Sequence, residues 1–283
     1  MLLALLLSCG PDISIAKIYD EPEDTGIMLV DSAEPPLEER SGITGYSSLH
    51  LRQVACPACM GESQELSITF QAEFHQPISD SYTTWIPSIN QCTTTLVGVN
   101  PSAVSMDVGS SISISNPLHS FVAPSWGGGL YGTSDIWEDK LQRDSLYDVE
   151  TDIGSYTFLS SHGFDFIEPY TMLWTEPSYA FDAPIYRTGA TFTWGPTSLD
   201  AIFTITVAVY SSNGNSMLGY VACTGQDNGI MTIPSQYLAQ YPVNSLVSIH
   251  MSRHRIELVE TDINNSYIES HTEWEVVGTG HIE

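Results

Sequence analysis

Leu66-Ser67-Ile68-Thr69-Phe70-Gln71-Ala72-Glu73-Phe74 sets an apolar side chain at every even position and a polar one between each pair. A period of two sends the two sets to opposite faces of an extended chain, so this stretch reads as a half-buried strand. Phe203, Ile205, Val207 and Val209 repeat the pattern against Thr204, Thr206, Ala208 and Tyr210. Working outward, residues 93–99, 111–115, 147–151, 189–194, 217–223, 246–252, 255–260 and 267–277 are further strand candidates. Turn signals separate them at Asn100-Pro101, Asn116-Pro117, Ser212-Asn213-Gly214-Asn215 and Asp227-Asn228-Gly229. Short strands with such punctuation predict an all-β chain, an antiparallel, immunoglobulin-like β-sandwich built as two sandwiches or one extended one. Helix is minimal. The best helical turn is residues 234–240, where Pro234 suits the first position and Leu238 packs.

Charge narrows the partners. The 283 residues include 34 Asp and Glu against 8 Lys and Arg, a formal net charge of −26. Nucleic-acid binding is excluded, because neutralising phosphates takes clustered Lys and Arg. Residues 1–45 hold nine acids and two bases, a net of −7, and residues 46–283 hold 25 acids and six bases, a net of −19. The body is therefore acidic in its own right, with Lys140 its single lysine. Such a surface stays soluble in salty surroundings and favours neutral or cationic partners.

The chain opens Met1-Leu2-Leu3-Ala4-Leu5-Leu6-Leu7-Ser8-Cys9-Gly10. This apolar run is far shorter than the roughly 20 residues of a membrane span and has the end of a secretory signal. No Lys or Arg precedes it, so a start upstream of Met1 is an expectation that the run leaves open. Leu6-Leu7-Ser8-Cys9 resembles the lipobox of bacterial lipoproteins. That resemblance implies cleavage before Cys9, its acylation, and attachment to the bilayer through the acylated Cys9. Gly10 in place of an aspartate after the cysteine implies the outer membrane. Residues 10–45 lack periodicity, and Asp20, Glu21, Glu23, Asp24, Asp31, Glu34, Glu38 and Glu39 alternate there with Pro22, Pro35 and Pro36. Like charges extend such a segment and it cannot bury enough apolar surface to fold. The reading is thus a signal peptide at 1–8, a lipidated cysteine with acidic tether at 9–54, and sandwiches at 55–185 and 186–283.

Setting Cys9 aside leaves Cys56, Cys59, Cys92 and Cys223, an even number that suggests two disulfides in an exported chain, with three connectivities open. A link from Cys56 or Cys59 to Cys92 is the preferred one. Cys56-Pro57-Ala58-Cys59 lacks the strand-to-helix setting of a redox pair and the second pair of ligands that zinc requires.

Ala190-Thr191-Phe192-Thr193-Trp194-Gly195-Pro196, the strand from Phe203, then Cys223, Asp227, Gly229, Ile233-Pro234 and Leu238 form a recurring order. It resembles the C-terminal module of lipoproteins from myxobacteria-like lineages, which run from a lipobox through an acidic tether to a β-sandwich. The resemblance covers roughly the last 95 residues, is weakly specific, and carries over no functional residue.

Motif chemistry is sparse. HExxH, GxSxG, Walker A, GxGxxG and EF-hand patterns are all missing from the sequence, so no catalytic residue is named. Gly127-Gly128-Gly129 reads as a loop, lacking the lysine and helix of a phosphate cradle. His250 and His254 share one face of a strand, about 13 Å apart, and read as exposed strand histidines. Asp135, Glu138 and Asp139 are weak candidates for Ca²⁺, an oxygen-seeking ion. Trp126, Tyr131 and Trp137 are the candidate contacts for a glycan or protein ligand, because exposed flat rings stack on sugars and grip partners. Trp174 and Trp194 read as core. The expected role is a membrane-anchored envelope or surface lipoprotein with a non-enzymatic structural or adhesion-type function. A secreted hydrolase with a carboxylate site and a calcium-stabilised adhesin are the alternatives.

Overall fold

The strand that begins at Leu66 runs on to Ile78, and its even-numbered residues from Ile68 to Phe74 are buried almost completely; the alternation ends there, with His75 buried as well and Gln76 exposed. The computed structural model describes residues 42–54, 66–79, 86–95, 103–134, 136, 141–142, 145–160, 183–195 and 201–283. In chain order the strands are β1 (Ile43–Val54), β2 (Leu66–Ile78), β3 (Gln91–Thr93), β4 (Ser111–Ser115) and β5 (Ser120–Gly127). There follow β6 (Leu130–Thr133), β7 (Leu146–Thr151), β8 (Gly154–Leu159), β9 (Ala183–Ile185), β10 (Gly189–Thr193) and β11 (Ile202–Tyr210). The last are β12 (Met217–Gln226), β13 (Ile230–Pro234), β14 (Leu246–Thr261) and β15 (Ser266–Ile282). A single turn of helix, α1 (Ser235–Leu238), begins after Pro234 and buries Leu238.

The chain is all-β with minimal helix. Thirteen strands form one hydrogen-bonded sheet in the order β3-β12-β11-β14-β8-β7-β4-β5-β6-β2-β1-β15-β9, while β10 and β13 pair separately. Because β14 also pairs with β15 from Leu246 to Thr261, the path from β14 through β8, β4, β5, β2 and β1 to β15 returns to its start. The sheet is mixed: β15 runs parallel to both β1 and β9. That distinguishes it from the wholly antiparallel immunoglobulin arrangement.

Three sequence readings change here. Residues 43–54, assigned above to the tether, form β1, because Ser47, Leu49 and Leu51 alternate with Ser48, His50 and Arg52. The segments 246–252 and 255–260 are one strand, β14, with no turn between them. Its hairpin with β15 turns at Ile263–Asn265, where Asn264 (φ 54°) and Asn265 (φ 47°) occupy the left-handed region that asparagine tolerates. The described residues from 42 to 283 belong to one compact unit, undivided near residue 186. The long hairpin explains this, since one end of it pairs with β11 and its length with β1.

The core is a continuous cluster. Leu49, Leu51, Ile68, Phe70, Phe74, Ile112, Ile114, Tyr147 and Phe158 fill the part enclosed by β1–β8, with Phe70 and Phe158 centroids 5.8 Å apart. Phe203, Ile205, Val207, Ile249 and Met251 continue it beneath β11 and β14. Each fully buried large apolar side chain here contributes about 1.5–3 kcal/mol. Trp194 belongs to this core, stacked on Phe203 with ring planes 8° apart.

Candidate functional site

Register decides which side chains meet. Opposite Glu273 on β15 stand His50 on β1 and His254 on β14, so the three form a row across adjacent strands. One step along, Arg52, Glu275 and Ser252 form the next row, and Ser48, His271 and Ile256 the row on the other side. Period-two alternation puts Glu269, His271, Glu273 and Glu275 on this face while Ile268, Trp274 and Val276 face the core. The result is a histidine–carboxylate face on three long strands, with β15 paired on one side with β1 and on the other with β14.

Within it, His254 Nδ1 lies 3.0 Å from His271 Nε2 and 4.0 Å from Glu273 Oε1. His271 presents its other nitrogen, Nδ1, to the Tyr46 hydroxyl at 2.8 Å. Both histidines are about 1% exposed. Burial, with the charge of His50 on His254 and of His254 on His271, holds each at about 3, so both rings are neutral at pH 7.

A second knot forms around Glu275. Its carboxylate accepts from His250 Nδ1 at 2.6 Å and lies 3.0 Å from Arg52 Nε and 3.3 Å from His50 Nε2. Burial works to raise the Glu275 carboxyl, but its hydrogen bonds with His250 and His50 outweigh that and hold it well below the usual range. For His50, burial works downward, while Glu275 and the Glu273 charge prevail and raise it. His250 Nε2 in turn lies 2.8 Å from Ser248 Oγ. A carboxylate only accepts, so Nδ1 of His250 carries the hydrogen of its bond to Glu275.

Donor sets for a metal therefore exist at His254–His271–Glu273 and at His50–Glu273–Glu275, in each of which one ligand atom per residue lies within 4.8 Å of the others. The sequence reading of His250 and His254 as exposed strand histidines fails for a definite reason. Their cross-strand partners, Glu275 for His250 and His271 with Glu273 for His254, all stand on β15, and spacing within one strand carries no information about a neighbour's register. A usable signal was present in Glu269-Ser270-His271-Thr272-Glu273-Trp274-Glu275, where four ionisable groups share one face.

The other predicted site residues do not converge here. Tyr131 is buried, and its hydroxyl donates to Asp107 Oδ1 at 2.8 Å and accepts from the Val108 amide. It is a core residue and offers no ring to a ligand. Trp126 is 57% exposed, lying over Gly132, whose missing side chain leaves room for the indole. Gly127 ends β5, Gly128-Gly129 is the turn into β6, and all three glycines have positive φ. Cys92 is disulfide-bonded to Cys223, its direct cross-strand partner on β12, which replaces the expected link to Cys56 or Cys59. Cys9, Cys56, Cys59, Asp135, Trp137, Glu138, Asp139 and Trp174 lie outside the described residues.

No protein-family model and no curated protein matches this chain.

Proposed function

We propose that this chain is a lipid-anchored envelope or surface protein with a non-enzymatic binding role, structural or adhesion-type, held through acylated Cys9 at the outer membrane. One observation carries the reading: the lipobox-like Leu6-Leu7-Ser8-Cys9 precedes an acidic, proline-bearing stretch that gives way to strand β1 at Ile43. Some 33 residues of such chain reach on the order of 30 Å, and further with self-repulsion. The all-β body is then the displayed part, and Trp126 with Leu130, both exposed beside the β5–β6 turn, is the surface offered to a glycan or protein. Mass spectrometry of the N-terminal peptide from membranes tests the anchor. The expected product begins at a diacylglyceryl-modified Cys9; an unmodified Cys9 with residues 2–8 retained overturns the reading.

A secreted hydrolase is the second reading, and one observation favours it. Ser248, His250 and Glu275 stand in the order nucleophile, base and orienting carboxylate, at 2.8 and 2.6 Å. What weakens it is the setting. Ser248 sits on a strand paired on both sides, with β11 and β15, so the nearby backbone amides serve the ladders and not an oxyanion. Turnover of ester or peptide substrates that disappears in Ser248→Ala establishes the hydrolase and removes the non-enzymatic reading.

A further inference from the structure

We propose that His254 Nδ1, His271 Nε2 and Glu273 Oε1 hold a divalent transition-metal ion of the zinc class. The inference goes beyond the anchored-protein reading and does not depend on it.

Geometry comes first. A four-coordinate ion with bonds of about 2.0–2.2 Å sets its ligand atoms about 3.3 Å apart. The two imidazole nitrogens stand at 3.0 Å, and the His254 nitrogen and Glu273 oxygen at 4.0 Å, so these two separations bracket that value, and all three atoms lie within 4.8 Å of one another. Small side-chain rotations bring them to it without backbone movement. The backbone is fixed: His254 and Glu273 are register partners in a hairpin paired along sixteen residue pairs. All three ligands therefore sit on rigid elements, as a metal site requires.

The donor set selects the ion. Two imidazoles and one carboxylate suit zinc, nickel, copper(II) or iron(II), whereas calcium and magnesium take oxygen ligands. The site contains no thiolate, which removes the soft alternatives. Three protein ligands leave a fourth position for water or for a ligand from outside. That position faces the Glu273 side, since the side chain of Glu273 is 14% exposed and that of His254 1%.

The surroundings fit a ligand role as well. Tyr46 Oη meets the non-ligating Nδ1 of His271 at 2.8 Å, the outer contact that fixes a metal-bound imidazole's tautomer and ring plane. The second donor set, His50–Glu273–Glu275, is the poorer one. Glu275 is already taken by His250, His50 and Arg52, and the guanidinium 3.0 Å away opposes a cation there. The geometry thus points to one ion, on the His254 side of Glu273.

The test uses the full chain, stripped with EDTA and then titrated with Co²⁺ and Zn²⁺. The expected result is one ion per chain, a raised melting temperature, and cobalt d–d absorption without thiolate-to-cobalt charge transfer, which separates this site from Cys56 and Cys59. Tyr46→Phe weakens binding about 10- to 100-fold and Glu273→Gln, which replaces a direct ligand, weakens it by at least as much, while Glu257→Gln, a carboxylate paired with Arg255 on the same hairpin, leaves it unchanged. Equimolar Ca²⁺ does not displace the ion. Failure of the wild-type chain to retain a stoichiometric ion overturns the proposal, as does a thiolate charge-transfer band or binding that Glu273→Gln leaves intact. The wild-type stoichiometry and spectrum decide the matter even where a variant folds poorly.

Discussion

His254 Nδ1 lies 3.0 Å from His271 Nε2, although the residue opposite His254 in the register is Glu273 and the one opposite His271 is Ile256. The contact is diagonal, made because both imidazoles lean toward the same point between the rows. It sits on a face whose reverse side packs Trp274 and Met251 into the core. The site is therefore attached directly to the hydrophobic core, and its chemistry and the protein's stability are coupled.

That coupling gives the stability a pH dependence. His254 and His271 remain neutral in the folded protein down to about pH 3, whereas in the unfolded chain they take up protons near 6.5. Their contribution is present above 6.5 and is lost as the pH falls below it, because the unfolded state then binds more protons. Glu275, held below its ordinary value of 4.5, adds a loss in the same direction at lower pH. His50, raised by Glu275 and Glu273, works oppositely, stabilising below 6.5 and losing that effect as the pH rises. With two depressed histidines against one raised, the urea midpoint of the metal-free protein is expected to fall from pH 7 to pH 5. A flat midpoint across that interval contradicts the assignment.

The Cys92–Cys223 bridge spans 131 residues of sequence and joins β3 at the sheet edge to β12. Closing so long a loop restrains the unfolded chain, an effect of about 2–5 kcal/mol. Cys92→Ser or Cys223→Ser is expected to lower the unfolding free energy by that amount, read by urea titration under non-reducing conditions. Non-reducing peptide mapping must recover the Cys92–Cys223 linked peptide.

Asp227 is fully buried and receives Arg253 Nε at 2.6 Å on one oxygen and Trp194 Nε1 at 2.5 Å on the other. Taking away its charge strands a buried guanidinium, at a cost of about 3–5 kcal/mol. Asp227→Asn is expected to unfold at correspondingly lower urea. Because the Trp194 indole stacks on Phe203, tryptophan fluorescence reports the same loss locally.

Gly129 has φ +78°, and a β-carbon there would stand 2.5 Å from the carbonyl oxygen of Phe74. Gly129→Ala combines left-handed strain of about 1–2 kcal/mol with that backbone collision. A lowered melting temperature is the expected readout. Gly128, whose β-carbon would meet nothing within 4 Å, is the matched control and is expected to lose only the strain.

The fold class was legible wherever one face of a strand was polar, as at Leu66–Ile78 and Ile202–Tyr210. The turns at Asn116 and Asn213 were legible for a chemical reason, since their side-chain oxygens accept backbone amides two residues on. Strand β1 was harder to read, because Thr44, Ser47 and Ser48 blur the alternation that Leu49 and Leu51 complete. The histidine–carboxylate site was the least legible part. Its ligands lie on two strands and its outer contact on a third, and the parallel register of β1 on β15 has no local signature. The disulfide shows the same limit: Cys92 and Cys223 meet only because β3 pairs with β12.

The ligand set itself is the most direct test. X-ray absorption at the metal edge of zinc-loaded full-length protein reads the scatterers around the ion. Two imidazoles with the remaining ligands oxygen are expected, together with the loss of one imidazole's multiple scattering in His271→Gln. Sulfur in the coordination sphere, or oxygen ligands alone, would contradict that set.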